Sequence, residues 1–177
     1  MAHPHKDYDP NGPVKHLREI CLALPETIEK EAWGECTFRV GGKMFAMTDN
    51  NHHGDGRVAV WCKAPPMVQE ILVGSDSTRF FRPPYVGHKG WLGVRLDVDV
   101  DWEELAAILE DGWIMSAPKR LAVTRRAANS KTDSAATGDR KKADGDQAKV
   151  DSSPRARALR KSRKRAVAAL KRSRLHR

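Results

Sequence analysis

The sequence predicts an α+β fold, a two-layer sandwich of an antiparallel sheet packed by helices, followed by a disordered basic tail. Three observations point to it. All eleven aromatic residues precede Pro118, so a core can form only before that point, in a stretch of ordinary domain length. Within that stretch, helical and period-two apolar patterns follow one another in the order α-β-β-β-α-β-α. From Lys119 onward the charge reverses. That part carries 20 Lys+Arg against 5 Asp, or +15, whereas the preceding part carries 12 Lys+Arg against 18 Asp+Glu, or −6.

Residues 1–12 are polar and proline-containing and read as a flexible arm. Pro13 suits a first helical turn, and Val14, Leu17, Ile20, Cys21 and Leu24 recur at helical spacing until Pro25 stops the run. CTFRV and KMFAMT are joined by Gly41-Gly42, which suits a type I′ hairpin turn. Counting outward from that turn pairs Val40 with Lys43, Phe38 with Phe45 and Cys36 with Met47, so the two phenylalanines would stack on the buried face. After a polar loop, Val58, Val60 and Cys62 alternate on one face of a third strand. Pro65 or Pro66 opens a short helix with Met67, Val68, Ile71 and Leu72, closed by Gly74. Beyond FFRPPYVGHKG, Leu92, Val94 and Leu96 point inward and Trp91, Gly93 and Arg95 outward. Asp101 and Glu104 cap a last helix with the stripe Trp102, Leu105, Ala106, Leu109 and Trp113, which ends at Pro118. The domain therefore spans residues 13–122. Residues 123–153 lack periodicity and read as a disordered linker. In the basic tail, 154–177, eleven of the last 23 residues are Lys or Arg and none is acidic. Self-repulsion keeps such a segment unfolded until a polyanion neutralises it, when it is expected to become helical.

The runs EICLALPETIEKEAWGECTFRVGGKMFAM, PPYVGHKGWLGVRLD and ELAAILEDGWIMSAPKRL resemble the MmcQ/YjbR family in order and spacing. The resemblance covers about residues 14–121 and none of the tail. It implies a compact bacterial domain similar in fold to the frataxin homologue CyaY. It also implies DNA binding, with hairpins acting as wings on a duplex.

Charge locates the expected affinity. Phosphate neutralisation supplies most non-specific DNA binding, and that assigns it to the tail: Arg155, Arg157, Arg160, Lys161, Arg163, Lys164, Arg165, Lys171, Arg172 and Arg174. Within the domain, Arg79, Arg82, His88, Lys89 and Arg95 fall in one loop-plus-strand segment with Tyr85 and Trp91 interleaved. Arg82, His88, Lys89 and Arg95 are its candidate contacts, and a solvated rim around a structural tryptophan is the plainer reading. A tail without aromatics argues against base stacking, hence for a duplex over a single strand. The partner expected is DNA, with RNA left open.

Other chemistry finds little support. His52-His53 with Asp49 and Asp55 reads as a solvated turn, and adjacent loop residues rarely reach one ion, so no metal is expected. Glu26, Glu29, Glu31 and Glu35 read as an acidic solvated loop. Cys21, Cys36 and Cys62 fall on inward faces, where thiols are inert packing groups. No nucleophile elbow, phosphate loop or dinucleotide fingerprint occurs, which argues against an enzyme and against a cofactor. No apolar run spans a bilayer, so a cytoplasmic, nucleoid-associated protein without membrane contact is expected. Two further readings stand beside DNA binding. One is a protein or small-molecule interaction module localised by its tail; the other, weaker, is a metal-handling protein.

Overall fold

Six strands form one antiparallel sheet, in the order β1-β2-β3-β4-β6-β5. The computed structural model describes residue 9 and residues 11–138, with residue 53 and residues 131–138 by their backbone alone. The expected arm through residue 8, the linker beyond 138 and the basic tail lie outside the described residues. In chain order the elements are α1 (Pro13–Leu22), β1 (Ile28–Ala32), β2 (Glu35–Val40), β3 (Lys43–Asn50) and β4 (Val58–Lys63). They continue with α2 (Val68–Ser75), β5 (Phe80–Phe81), β6 (Trp91–Arg95), α3 (Trp102–Ser116) and α4 (Lys119–Gly138).

The two hairpins share one turn chemistry. Gly41 and Gly42 have φ of +55° and +77°, and Trp33 and Gly34 have +57° and +78°, as a type I′ turn requires. Val40 pairs with Lys43 as expected, but the register shifts between Phe38 and Arg39, so Phe38 pairs with Ala46 and Thr37 with Met47. The expected Phe38–Phe45 and Cys36–Met47 pairs are thereby corrected. Phe45 is the extra residue of a β-bulge, which lets Phe45 and Ala46 both enter the core beside Phe38, all three fully buried.

Helices cover one face of the sheet. Leu17 and Cys21 of α1 and Leu105, Leu109 and Trp113 of α3 pack on Phe38, Val60, Cys62, Leu92 and Val94. Asp101 caps α3 by accepting from the Glu104 N–H at 3.1 Å. A Cβ at Gly112 would lie 2.6 Å from the Lys63 carbonyl oxygen, so this glycine permits the close helix–sheet approach. The other face carries a second cluster, Met47, Trp61 and Trp91, flanked by Met44, Phe81 and Val86. The connection from β5 to β6 folds over it. Trp91 is thus outward from the main core, as its alternation says, yet buried.

Four elements differ from the sequence reading. β1 and β5 are additional strands at the two sheet edges. α2 begins after Met67, runs through Gly74 and is capped at Asp76. The expected linker is helical in its first part, because α4 continues to Gly138. Ala122 is buried against the core with Leu121 beside it, and Glu110 of α3 accepts from Arg125 at 2.5 Å and Asn129 at 3.1 Å. Those contacts recur every fourth residue, but half of them are polar, so no apolar stripe marks the helix. Among the described residues no helix is long and apolar enough to cross a membrane.

Candidate nucleic-acid interface

The segment from Arg79 to Arg95 is built around a glycine. Phe81 pairs with Gly93, and its ring fills the space above that residue, where a Cβ would come within 2.4 Å. The two short strands then close side by side, and the connection between them must turn back over the sheet. Pro83 is buried, and its carbonyl accepts from the Gly87 N–H at 2.9 Å. Tyr85 takes φ +61° and Gly90 +82° on either side of a 3-10 turn at Gly87–Lys89. Gln69 of α2 fastens the loop from beneath. Its side-chain amide donates to the carbonyls of Gly87, at 2.8 Å, and of Trp91.

This fixed loop presents Arg82, Tyr85, His88 and Lys89 to solvent. A Cβ at Gly87 would lie 3.4 Å from that of Arg82, so Arg82 sits beside the turn that carries His88 and Lys89. Tyr85 is 72% exposed. Arg82 makes a loose pair with Glu70 at 3.8 Å.

The rest of the expected patch has other work. Arg79 lies 2.6 Å from Glu104 in a pair whose side chains are 13% and 3% exposed, and its guanidinium stacks on the Phe80 ring at 4.9 Å. Arg95 is engaged by both carboxylate oxygens of Asp97, at 2.9 and 3.0 Å. Trp91 is buried. Arg95, expected as a contact, is thus paired with a carboxylate and about a third exposed, at 34%. Arg82, His88 and Lys89, with Tyr85 among them, are the exposed members of the expected patch. The ten expected tail contacts, Arg155 to Arg174, lie outside the described residues. Sequence reasoning did not place three exposed cations, Lys119, Arg120 and Arg126, on the helix α4; the four-residue spacing of Leu121, Arg125 and Asn129 is the signal that would.

The acidic loop proves to be distributed. Glu29 pairs with Arg18 at 2.8 Å and Glu26 with Arg120 at 2.8 Å. Glu35 is buried, accepting from the Thr48 hydroxyl and from the Asn50 N–H at 2.9 Å. The histidine turn adjoins this network rather than standing in solvent. His52 Nδ1 is 3.7 Å from Glu35, and the His52 backbone N–H donates to Asp49 at 3.1 Å. Asp49 also accepts from the Trp61 indole at 2.8 Å. Burial, with Asp55 nearby, pushes the Asp49 carboxyl up to about 6. Among the described residues no group of three or more His, Cys, Asp or Glu is placed to hold a metal ion. The three cysteines are free thiols. Burial pushes Cys62 up to about 12, does the same to Cys36 with help from its hydrogen bond to Glu29, and raises Cys21 well above the ordinary thiol value.

The YjbR family model matches residues 22–115, over half of the 177 residues. Among solved structures, the chain is similar to the crystal structure of Deinococcus radiodurans protein DR2400, which carries the domain DUF419. The identity is 25% and the TM-score 0.52, over 60% of this chain and 79% of that one. No curated protein matches the sequence. The matched span takes in the whole sheet, the Met47, Trp61 and Trp91 cluster, most of the main core and the loop that carries Tyr85, His88 and Lys89. On that agreement the chain belongs to the YjbR, or MmcQ/YjbR, family.

Proposed function

We propose that this protein binds double-stranded DNA, without catalysis and largely without sequence preference, through the cations of its C-terminal tail. The observation that carries the proposal is the segregation of charge: −2 through Gly138, the end of α4, and +11 from Asp139 on, with eleven cations and no acid in the last 23 residues. Such a segment releases many counterions from a duplex and reads no base edges. Ion pairing within the folded part supports the same assignment. Arg18, Arg57, Arg79, Arg82, Arg95, Arg120 and Arg125 each face a carboxylate, which lowers what the folded part offers to phosphate. Arg82, His88 and Lys89 supply a minor contact from the fixed loop. A protein held this way on DNA resides with the nucleoid in the cytoplasm, and RNA of A-form geometry is a competing polyanion.

The test is a gel-shift series in low salt. Replacing Arg160, Lys161, Arg163, Lys164 and Arg165 together by Ala should weaken duplex binding at least about tenfold, one factor of ten being only about 1.4 kcal/mol over five contacts. Scrambling the order of residues 155–177 should leave affinity within about twofold. Arg82→Ala with Lys89→Ala should cost less than the tail replacement. Equal affinity after the five tail substitutions overturns the proposal.

A further inference from the structure

Between the start of α1 and the segment joining β6 to α3 lies an open groove of about 650 Å3. Pro13, Leu96, Val98, Val100 and Trp102 give it apolar surface beside the polar Asn11 and Asp99, and His16 stands edge-on to the Trp102 ring at 4.3 Å. Its rim is acidic. Asp97 and Asp99 are exposed along this segment, and Glu103 follows in the first turn of α3. Asp97 is engaged by Arg95; Asp99 lines the groove itself. Apolar floor, aromatic ring and anionic rim together suit a cationic segment with small aliphatic side chains, which can lay its stems on the floor and its charges on the rim.

We propose that this groove docks the chain's own residues 155–177 when no polyanion holds them. Those residues carry eleven cations and no acid, interleaved with Ala156, Leu159, Val167 and Leu170, so both the rim and the floor find partners. Length permits it. The 39 residues after Gly138 span up to about 130 Å when extended, several times the diameter of a domain this size. The segment through residue 8, outside the description, lacks the complementarity: Lys6 is its one Lys or Arg, against Asp7, and Asp9 follows. Docking and duplex binding then compete for the same cations. The docking itself stands on the groove and on charge; only its effect on duplex affinity rests on the DNA reading above.

Zero-length carbodiimide cross-linking of the intact protein, with mapping of the monomer band by mass spectrometry, tests the proposal. Amide links from Lys161, Lys164 and Lys171 should concentrate on Asp99 and Glu103. They should exceed links to Glu31 and Glu70, which are also exposed, and disappear at about 0.5 M salt, where screening acts within a few ångström. Links spread evenly over all four acids, or links from Lys6 at Asp99 and Glu103, overturn it. A second arm measures duplex affinity. Asp99→Asn with Glu103→Gln should tighten binding about 3–10-fold by releasing the docked tail, whereas Glu31→Gln with Glu70→Gln should change it less than about twofold. Equal effects of the two pairs overturn the competition. Concentrated cross-links in a protein that binds no duplex leave the docking standing and remove the DNA reading instead.

Discussion

Arg79→Ala separates a structural cation from a nucleic-acid contact. Arg79 lies in the segment whose residue types suggest phosphate binding, yet its guanidinium is 2.6 Å from Glu104, with the two side chains 13% and 3% exposed. Removing it leaves a carboxylate almost without water. Breaking a buried pair this way costs about 3–5 kcal/mol. Glu104 sits in the first turn of α3, where the helix dipole favours an anion and offsets part of the loss. The expected destabilisation is therefore about 2–4 kcal/mol, or roughly 6–16 °C in melting temperature for a folded part of this size. Thermal and urea unfolding followed by circular dichroism measure it. The double substitution Arg79→Met, Glu104→Leu should recover most of the loss, since it removes both charges and keeps volume. Duplex affinity of the folded Arg79→Ala protein should stay within about twofold. A variant that melts within a degree of the parent while losing duplex affinity would show that Arg79 contacts nucleic acid and that the Glu104 pair holds nothing together.

Three other comparisons test the fold. Gly41→Ala places a Cβ 2.8 Å from Pro118 at φ +55° and should cost about 1–3 kcal/mol, read by urea unfolding, whereas Gly42→Ala, with the same φ class but open space around it, should cost only about 1. Asp49 has its carboxyl raised to about 6. The folded state thus holds its proton more tightly than the unfolded state, and stability falls as pH rises from the unfolded carboxyl value to the folded one; Asp49→Asn should flatten the decline between about pH 4 and 6, by up to about 3 kcal/mol. Truncation after Thr124 removes Arg125 and Asn129 from the nearly buried Glu110 and should destabilise the domain by about 1–3 kcal/mol, whereas truncation after Gly138 should not; differential scanning calorimetry of the two fragments distinguishes them.

The central sheet is legible because its strands are buried on both faces or alternate cleanly, and α3 because Trp102, Leu105, Leu109 and Trp113 keep helical spacing. β1 is not legible. Its IEKEA sequence has no apolar alternation, and it is held by backbone pairing to β2 and by the Arg18–Glu29 pair, neither of which leaves a pattern in the residues themselves. The bulge at Phe45 also leaves no local mark, since any register that buries both phenylalanines satisfies the alternation. The candidate patch was half legible. Residue types located the loop, and Asp97 two positions after Arg95 hinted at that pair. Glu104, 25 positions from Arg79, is brought to it only by the closure of β5 on β6 and the packing of α3. The cover over Trp91 depends on the same tertiary event, the return of residues 82–90 across the sheet.

Salt dependence locates the nucleic-acid affinity most directly. Duplex binding of the intact chain and of residues 1–138 is measured side by side across a range of salt concentrations. If about six tail cations meet phosphates, log K of the intact chain falls with log[salt] at a slope near −5, each contact releasing about 0.9 of a counterion. The shorter chain, left with Arg82, His88, Lys89 and the exposed cations of α4, then binds at least about a hundredfold more weakly with a slope no steeper than about −2. The same affinity and the same slope for both chains would place the binding in the folded domain and contradict the assignment to the tail.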